Sequence, residues 1–343
     1  MTKKPMRVLV LAHETLVPPD SIAGYTDQEI DEWRTEYDVT ASLRGLGHEV
    51  KVLGMGDNLA ELRSTIMEWK PDVAFNLLEE FQGIVTYDQY VVAFLELMRL
   101  PYTGCNPRGM MISRDKVLSK QILAYHRIAT ARYALLPRKR RYVEPRKLKF
   151  PLFVKSATED ASLGISQASI IYEPHKLRER VEFIHEQTNS DALVEEYIEG
   201  RELYIGVMGN ERLTTFPVWE LNFGTLPDVM SIATRKVKWD RKYQQRHGIG
   251  TGPARDLSPG LAARLSALVK RIYRALSLSG YARIDLRLKP DGGVYVLEAN
   301  ANPNLAQIED FATSALAAGV GYDTLLERIV QHGQNYEAAW RES

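Results

Sequence analysis

Cysteine is nearly absent from this sequence, and neither charge is in excess. The 343 residues contain one cysteine, Cys105, which excludes an internal disulfide framework and a metal cluster built on several thiolates. The 44 basic side chains balance 44 acidic ones, so no field of the whole molecule would attract nucleic acid or an anionic membrane. A nucleic-acid partner is therefore not expected, and any site for a polyanion must be local.

Long apolar runs are also missing. No stretch approaches the ~18 uninterrupted apolar residues of a membrane-spanning helix. The apolar run near the start, MRVLVLA at 6–12, is too short for the apolar region of a secretory signal. Together with the single cysteine, these features predict a cytoplasmic protein that does not engage a membrane.

The sequence lacks several familiar catalytic motifs. It has no GxxxxGK[ST] phosphate loop and no HExxH zinc motif, and GIGTGP at 248–253 has neither the spacing nor the preceding strand of a GxGxxG loop. Walker-type, Rossmann-type and zinc-hydrolase sites are therefore without support. The one local polycation is RKRRYVEPRKLK at 138–149, which we interpret as a solvated loop, with docking of an acidic peptide or nucleic acid as the alternative.

The first hundred residues alternate between short apolar runs and segments in which apolar residues recur every three or four positions. Strands are predicted at 6–12, 48–54 and 72–78, and helices at 28–46, 58–69 and 87–98. This alternation is typical of an α/β domain with a mostly parallel sheet. The domain is predicted to end near 100–104.

The rest of the chain reads as α+β. The predicted elements are a helix at 116–124, strands at 151–155 and 167–172, a helix carrying Leu177, Val181 and Ile184, strands at 192–198 and 202–209, and a polar stretch at 237–256. A helix then begins at Ser258, a typical N-cap before Pro259, and Gly280 is its predicted stop. Two last strands, 281–288 and 293–300, are joined by the turn KPDGG.

This last hairpin carries the most informative polar residues. Asp285 lies on one strand, and Glu298 and Asn300 lie two positions apart on the other, so the latter two share a face. Oxygen ligands from adjacent strands suit magnesium, which keeps waters and phosphate oxygens as its other ligands. The alternative is an ordinary solvated sheet face, and the two carboxylates alone do not decide between these interpretations.

The surrounding motifs resemble those of the ATP-grasp ligases, and most closely the D-alanine:D-alanine ligase group. Six pieces occur in that family's order and approximate spacing: LELMRLPYTG (95–104), DKVLSK (115–120), FVK with a Gly-ended loop (153–164), LVEEYIEGRE (193–202), RID (283–285) and LEAN (297–300). The resemblance implies an ATP-grasp fold of class α/β and α+β. Its N-terminal parallel-sheet domain would cover 1–104, a small central domain 105–190, and a mixed-sheet domain with the metal site 191–343.

The resemblance also implies roles for individual residues. Lys116 and Lys155 match lysines that neutralise the ATP phosphates, a role suited to compact point charges. The other matches are a lid over the phosphates (Ala161, Ser162, Leu163, Gly164), contacts with adenine (Glu195, Ile198), a carboxylate on the ribose (Glu202), the magnesium ligands (Asp285, Glu298, Asn300), an arginine for the acyl phosphate (Arg283) and a second lid lysine (Lys238, or else Lys236). The implied cofactors are ATP and Mg²⁺, with Mn²⁺ as a substitute.

The substrate end departs from the family pattern. Where the family has Pro-Gly and then a serine that holds the second amino acid's carboxylate, this chain reads ANPNLAQIED, with Asn304 in place of the glycine and Glu309 near the serine. If the alignment shifts by one residue, Gln307 or Asp310 faces the pocket instead. Glu14 and Glu36 are the candidates for the acid that holds the first substrate's amine.

The resemblance therefore implies an ATP-dependent carboxylate–amine ligase acting on small-molecule or peptide substrates, other than D-alanine plus D-alanine. Two other functions stay open: D-alanine:D-alanine ligase itself, and a non-catalytic ATP-binding protein. ATP-grasp phosphoryl transfer without ligation is a further alternative. A homodimer is also compatible with the sequence.

Overall fold

Within the residues described here, the strands form three sheets that follow one another along the chain. The structure is a computed structural model that describes residues 4–158, 165–226, 232–234, 237 and 240–341. No helix in these ranges is both long enough and apolar enough to cross a lipid bilayer.

The N-terminal sheet is parallel, as predicted, with the strand order β2-β1-β3. Its strands and the helices that connect them are β1 (Arg7–His13), α1 (Asp27–Glu32), α2 (Arg34–Gly45), β2 (Glu49–Met55), α3 (Ala60–Trp69), β3 (Val73–Asn76) and α4 (Asp88–Leu97). Short 3-10 helices lie at Glu14–Leu16 and Val85–Tyr87. The parallel arrangement brings the carboxyl ends of the three strands to one edge, the edge at which open α/β sheets bind ligands.

The helix predicted over 28–46 is in fact two helices that meet at Trp33. Trp33 has φ −125° and ψ 21°, outside the helical range, so α1 ends before it and α2 begins after it. The indole packs edge-on against Tyr25 and Tyr37, with ring centroids 5.3 and 5.8 Å away. The prediction of one helix was wrong because the apolar spacing continues through the break.

The central sheet is antiparallel, with the order β4-β7-β5-β6. Its elements, with the two helices that precede it, are α5 (Pro107–Arg114), α6 (Lys116–Tyr125), β4 (Tyr133–Leu136), β5 (Leu152–Ser156), β6 (Ile170–Ile171), α7 (Pro174–Thr188) and β7 (Ala192–Glu196). The strand predicted over 167–172 is only two residues long, because Gln167–Ser169 forms a 3-10 turn first. Helix α5 was not predicted.

The C-terminal sheet has the order β11-β10-β8-β12-β13, and β9 pairs with β8. Its elements are β8 (Arg201–Met208), β9 (Thr214–Thr215), β10 (Trp219–Asn222), α8 (Arg241–His247), β11 (Gly250–Pro253), α9 (Pro259–Ala275), β12 (Tyr281–Leu288), β13 (Val294–Asn300), α10 (Asp310–Ala317) and α11 (Tyr322–Gln334), followed by a 3-10 turn at Ala339–Arg341. The strands pair antiparallel, and a parallel bridge from Thr130 to Val296 makes the sheet mixed.

The polar stretch predicted at 237–256 contains the helix α8 and the strand β11 of the third sheet. Asp240 caps α8 by accepting a hydrogen bond from the Tyr243 backbone N–H at 2.9 Å, and β11 pairs with β10. Both are too short and too polar to give a clear apolar period. By contrast, the Ser258 N-cap of α9 is confirmed, since its hydroxyl accepts from the Leu261 N–H.

Two apolar cores lie on opposite faces of β1. On one face, Val10 and Phe75 pack with Leu326 and Ile329 of α11, so the end of the chain covers the N-terminal sheet. On the other face, alternate residues such as Leu9 join a core that extends to the C-terminal sheet. Burial on both faces is the usual arrangement of a parallel sheet.

Gly333, near the end of α11, lies against the backbone that runs beside β3. A Cβ added there would be 2.4 Å from the Tyr102 carbonyl oxygen and 3.0 Å from the Thr103 nitrogen. Because backbone atoms on both sides must then separate, we expect Gly333→Ala to lower the free energy of unfolding by ~1 to 3 kcal/mol, measured by urea denaturation.

The matched control is Gly260→Ala, since Gly260 also lies in a helix, α9, but a Cβ there would have no atom within 4 Å. That substitution should be neutral or add up to ~1 kcal/mol through helix propensity. Equal unfolding free energies for the two variants would contradict the close packing of α11.

Candidate functional site

Two lysines contact one buried carboxylate beside the central sheet. Lys155 at the end of β5 places its Nζ 3.0 Å from Oε2 of Glu195 on β7, and Lys120 of α6 contacts Oε1 of the same carboxylate. All three residues are buried. Phe153 pairs with Glu195 in the strand register, and Lys155 lies two residues beyond Phe153 on the same face. Two cations and one anion therefore lie together out of water.

The charges in this cluster act on one another's protonation. Burial alone would raise the pKa of Glu195, but the two ammonium groups outweigh burial and lower that pKa to about 2. Burial lowers the pKa of Lys120, while the carboxylates of Glu195 and Glu298 act in the opposite direction. Glu298, one of the predicted metal ligands, is therefore among the charges that act on Lys120.

Lys116 begins α6 directly after the Asp115 cap. The Asp115 carboxylate accepts hydrogen bonds from the backbone N–H groups of Val117 and Leu118, which is the usual role of an N-cap. The Lys116 backbone N–H donates to the Ala157 carbonyl at 3.2 Å. The start of α6 is thus tied to Ala157, which follows β5 and lies two residues beyond Lys155.

A polar face runs across the middle of the C-terminal sheet. Because side chains alternate along a strand, Arg283, Asp285 and Arg287 share one face of β12, whereas Ile284 and Leu286 enter the core. On β8, Tyr204 lies opposite Asp285 and Glu202 lies opposite Arg287; on β13, Glu298 lies opposite Asp285 and Asn300 lies opposite Arg283. The register therefore brings Asp285, Glu298 and Asn300 together.

These three residues suit a hard cation. The Asn300 amide donates through Nδ2 to Oδ2 of Asp285 at 3.2 Å, which leaves the amide oxygen free to act as a metal ligand. Among the described residues, no three His, Cys, Asp or Glu side chains converge on a point that could hold a metal. Two carboxylates and an amide would need phosphate oxygens and waters to complete a magnesium shell, which is how Mg²⁺ is commonly bound.

Arg283 is held between two carboxylates. Its Nε and Nη2 donate to the two oxygens of Asp285 at 2.8 and 2.9 Å, and Asp310 lies 3.8 Å from Nη1. The guanidinium also lies 4.6 Å from the centre of the Tyr204 ring. A two-point ion pair fixes the plane of the guanidinium.

Glu202 is engaged by two neighbours at the far end of the same face. Arg287 Nη2 donates to its Oε2 at 2.7 Å, and the Tyr204 hydroxyl donates to its Oε1 at 2.8 Å. Arg287 Nη1 also donates to the Gly200 carbonyl at 3.0 Å. Ile198 lies between β7 and β8, half-buried, in the segment that joins the central and C-terminal sheets.

The substrate candidates lie where α2 meets the loop after β13. The Thr35 hydroxyl donates to Oδ1 of Asn304 at 2.7 Å. Glu36 is only 5% exposed, and burial together with the charge of Glu79 raises its pKa to about 7. Glu309 is the N-cap residue of α10, and the next residue, Asp310, directs its carboxylate toward Arg283. Glu14 lies farther along, in the 3-10 turn after β1.

Six predicted residues lie outside the described part of the chain: Ala161, Ser162, Leu163, Gly164, Lys236 and Lys238. The choice between the two lid lysines therefore stays open.

Sequence reasoning did not single out Lys120, Tyr204 or Arg287 as site residues. Lys120 follows Lys116 by four positions, which places both on one face of α6, and Arg287 follows Asp285 by two, which places both on one face of β12. Both signals were present in the sequence. Tyr204 likewise follows Glu202 by two positions and shares its face of β8, but the sequence does not show that its hydroxyl bonds to that carboxylate.

Comparison with known proteins identifies the family. The family profile "D-ala D-ala ligase C-terminus" matches residues 121–331. An uncharacterized protein of Sinorhizobium fredii is 31% identical over 85% of this chain and 85% of its own length. The D-alanine--D-alanine ligase of Geobacter sulfurreducens is 28% identical over 85% of this chain and 86% of its own.

Solved structures agree. The D-alanine--D-alanine ligase of Bacillus anthracis complexed with ATP has a TM-score of 0.73 and 26% identity, covering 96% of this chain and 97% of that one. The profile spans well over half of this chain, and the structural match spans nearly all of it. The chain therefore belongs to the ATP-grasp proteins of the D-alanine:D-alanine ligase family.

Proposed function

We propose that this protein uses ATP to join a carboxylate to an amine through an acyl phosphate. The observation that carries the proposal is the shared register of β12 and β13, because it groups Asp285, Glu298 and Asn300 beside Arg283. Relatives named as D-alanine--D-alanine ligases and the ATP complex of the Bacillus anthracis enzyme support it.

The nucleotide would lie between the central and C-terminal sheets. Lys116 and Lys155 would neutralise its phosphates, the segment with Ser162, Leu163 and Gly164 would cover them, Glu195 and Ile198 would border the base, and Glu202 would accept from the ribose hydroxyls. The ion pairs of Glu195 with two lysines, and of Glu202 with Arg287, mean that both carboxylates are already oriented before a nucleotide binds.

Magnesium, or manganese in its place, would be held by Asp285, Glu298 and Asn300 and would supply charge neutralisation next to the transferred phosphoryl group. Arg283, fixed by Asp285, would hold the acyl phosphate and the oxyanion that forms when the amine attacks. Lys238, or Lys236, would close the same site. No protein nucleophile is needed, because the two substrates react with each other once they are oriented.

The acceptor is proposed to differ from D-alanine. Glu309, or Gln307 or Asp310 if the alignment shifts by one residue, would lie at the end of the site where the family places a serine for the acceptor's carboxylate. Two carboxylates about 4 Å apart repel each other by ~4 kcal/mol at the effective dielectric of a protein surface. An acceptor with an amine or guanidinium there, or without a carboxylate at that point, fits this end better. A cytoplasmic location and a homodimer stay predictions.

The metal proposal is tested with Asp285→Asn and Glu298→Gln. Each removes a negative charge next to the transferred phosphoryl group, so we expect the rate of ATP-dependent phosphate release to fall by ~10²-fold or more in each variant. Half-maximal activity should also require more magnesium. Asp291→Asn is the matched control, because Asp291 lies in the turn of the same hairpin and pairs with Lys289 at the surface. Turnover near the parent rate in both site variants would remove the metal assignment.

Glu36, one of the candidates for holding a substrate amine, gives a pH-dependent prediction. An acid whose folded pKa is raised to about 7 keeps its proton at a pH where the unfolded chain, with a pKa near 4.5, has lost it. Glu36 therefore lowers the free energy of unfolding progressively as pH rises from 4.5 to 7, by up to ~3 kcal/mol. Glu36→Gln should raise the melting temperature at pH 8 and leave it nearly unchanged at pH 4.5. Equal shifts at both pH values would contradict the raised pKa of this buried carboxyl group.

The acceptor proposal is tested by incubating the protein with ATP, magnesium and D-alanine, alone and with basic or carboxylate-free amines, and identifying products by mass spectrometry. We expect little D-alanine dipeptide and selective turnover of a basic or carboxylate-free amine. The rate with that amine should fall in Glu309→Ser but not in the control Glu337→Ser, because Glu337 is exposed. Efficient formation of the D-alanine dipeptide would show D-alanine:D-alanine ligase activity instead. Binding of ATP without any phosphate release across the panel would favour a non-catalytic ATP-binding protein.

A further inference from the structure

Lys120 lies beside the nucleotide site but has no role in the mechanism described above. Its side chain is 4% exposed, and its Nζ contacts Glu195 on the side opposite Lys155. It also lies 5.6 Å from the centre of the Tyr133 ring, and Tyr133 pairs with Glu195 in the strand register. Lys120 is therefore enclosed by the central sheet.

The charges of the cluster decide what Lys155 can do. Lys155, Glu195 and Lys120 sum to one positive charge in a buried place. Without Lys120, the Glu195 carboxylate would neutralise Lys155, and the cluster would present no net charge to an anion. With Lys120 present, the cluster keeps one positive charge that Glu195 does not balance. A buried charge of this kind requires an anionic partner, and a phosphate group can be that partner.

The hydrogen-bond donors of Lys155 point to the same conclusion. A lysine ammonium has three donors, and within the described residues Lys155 Nζ is engaged only by Glu195, at 3.0 Å. Because Lys120 takes the other carboxylate oxygen, Glu195 holds Lys155 by one oxygen atom rather than by two. Two donors of Lys155 thus remain for a ligand.

We propose that Lys120 is a positioning residue for ATP, which neutralises Glu195 so that Lys155 keeps its positive charge and two donors for the phosphates. This inference rests on the proposed placement of the phosphates at Lys155. Helix α6 would then supply two lysines with different roles: Lys116 would neutralise the phosphates directly, and Lys120 would act through Glu195. The two lysines lie one turn apart on the same face of α6. Lys120 acts through Glu195 and does not itself touch the nucleotide.

The test is a double-mutant cycle on ATP affinity, measured by calorimetry in the presence of magnesium. Lys120→Met should weaken ATP binding by ~10-fold to 100-fold, the loss expected when a charged hydrogen-bond partner is neutralised. Lys120→Arg should stay near the parent affinity because it keeps the charge. In Lys120→Met/Glu195→Gln the net positive charge returns, so the double variant should bind ATP more tightly than Lys120→Met does. In assays of turnover, the KM for ATP should rise in Lys120→Met by a larger factor than kcat falls.

The Glu195→Gln background supplies a second comparison. In the Glu195→Gln background, Lys120→Met lowers the charge of the cluster from two positive charges to one, whereas in the parent it lowers the charge from one to zero. ATP affinity should therefore fall by a smaller factor in the Glu195→Gln background than in the parent. An equal loss in both backgrounds would overturn the inference, because it would mean that Lys120 supports the fold or contacts the nucleotide directly.

Lys155→Ala separates this inference from the proposed phosphate site. If Lys155→Ala leaves ATP affinity unchanged, the placement of the phosphates is wrong. If Lys155→Ala weakens binding but Lys120→Met does not, the phosphate site stands and the role of Lys120 is rejected. Circular dichroism spectra of each variant show whether the fold is intact.

Discussion

The site depends on the register of β12 against its two neighbours. One strand supplies Arg283, Asp285 and Arg287 to a single face, and the antiparallel pairing sets Tyr204 and Glu298 on either side of Asp285. A slip of one residue would send these charged side chains into the apolar core and expose Ile284 and Leu286. The core behind the sheet therefore holds the polar face in position, because the same alternation that buries the apolar residues aligns the charged ones.

Charge balance is the second constraint, and it differs between the two halves of the site. Beside the central sheet, two lysines exceed one carboxylate, so the cluster suits an anion. On the C-terminal sheet, Asp285 lies beside Arg283 with Glu298 opposite, so carboxylates remain for a cation. A nucleotide polyphosphate with its magnesium carries both signs. The two sheets thus carry complementary charges, which is what the proposed placement of ATP and magnesium between them requires.

The sequence was sufficient for features that depend on local periodicity. The alternation of strands and helices predicted the parallel sheet, and the Ser258 cap and the hairpin around KPDGG were confirmed, because capping and strand alternation are written in adjacent residues. It was insufficient where structure depends on distant contacts. The helix breaks at Trp33, whose indole packs against Tyr25 and Tyr37, although the apolar spacing continues through the break, and α8 is short and polar. The two ion pairs of Glu195 join segments whose pairing no local pattern encodes, although the spacing of Lys116 and Lys120 does place both lysines on one face of α6.

The substrate end was the least predictable part for a related reason. There, α2 of the N-terminal domain meets the loop after β13, through Thr35 with Asn304 and through Asp38 with the Gln307 backbone N–H, each pair 269 residues apart in the chain. These contacts join parts of the molecule that do not take part in the nucleotide site. In the proposed function this region borders the acceptor, so substitutions in α2 or in this loop should change which acceptor fits while the register of β12 and the lysine cluster stay as they are. Motifs for ATP binding therefore do not predict the acceptor, because the acceptor end is built from contacts between distant segments.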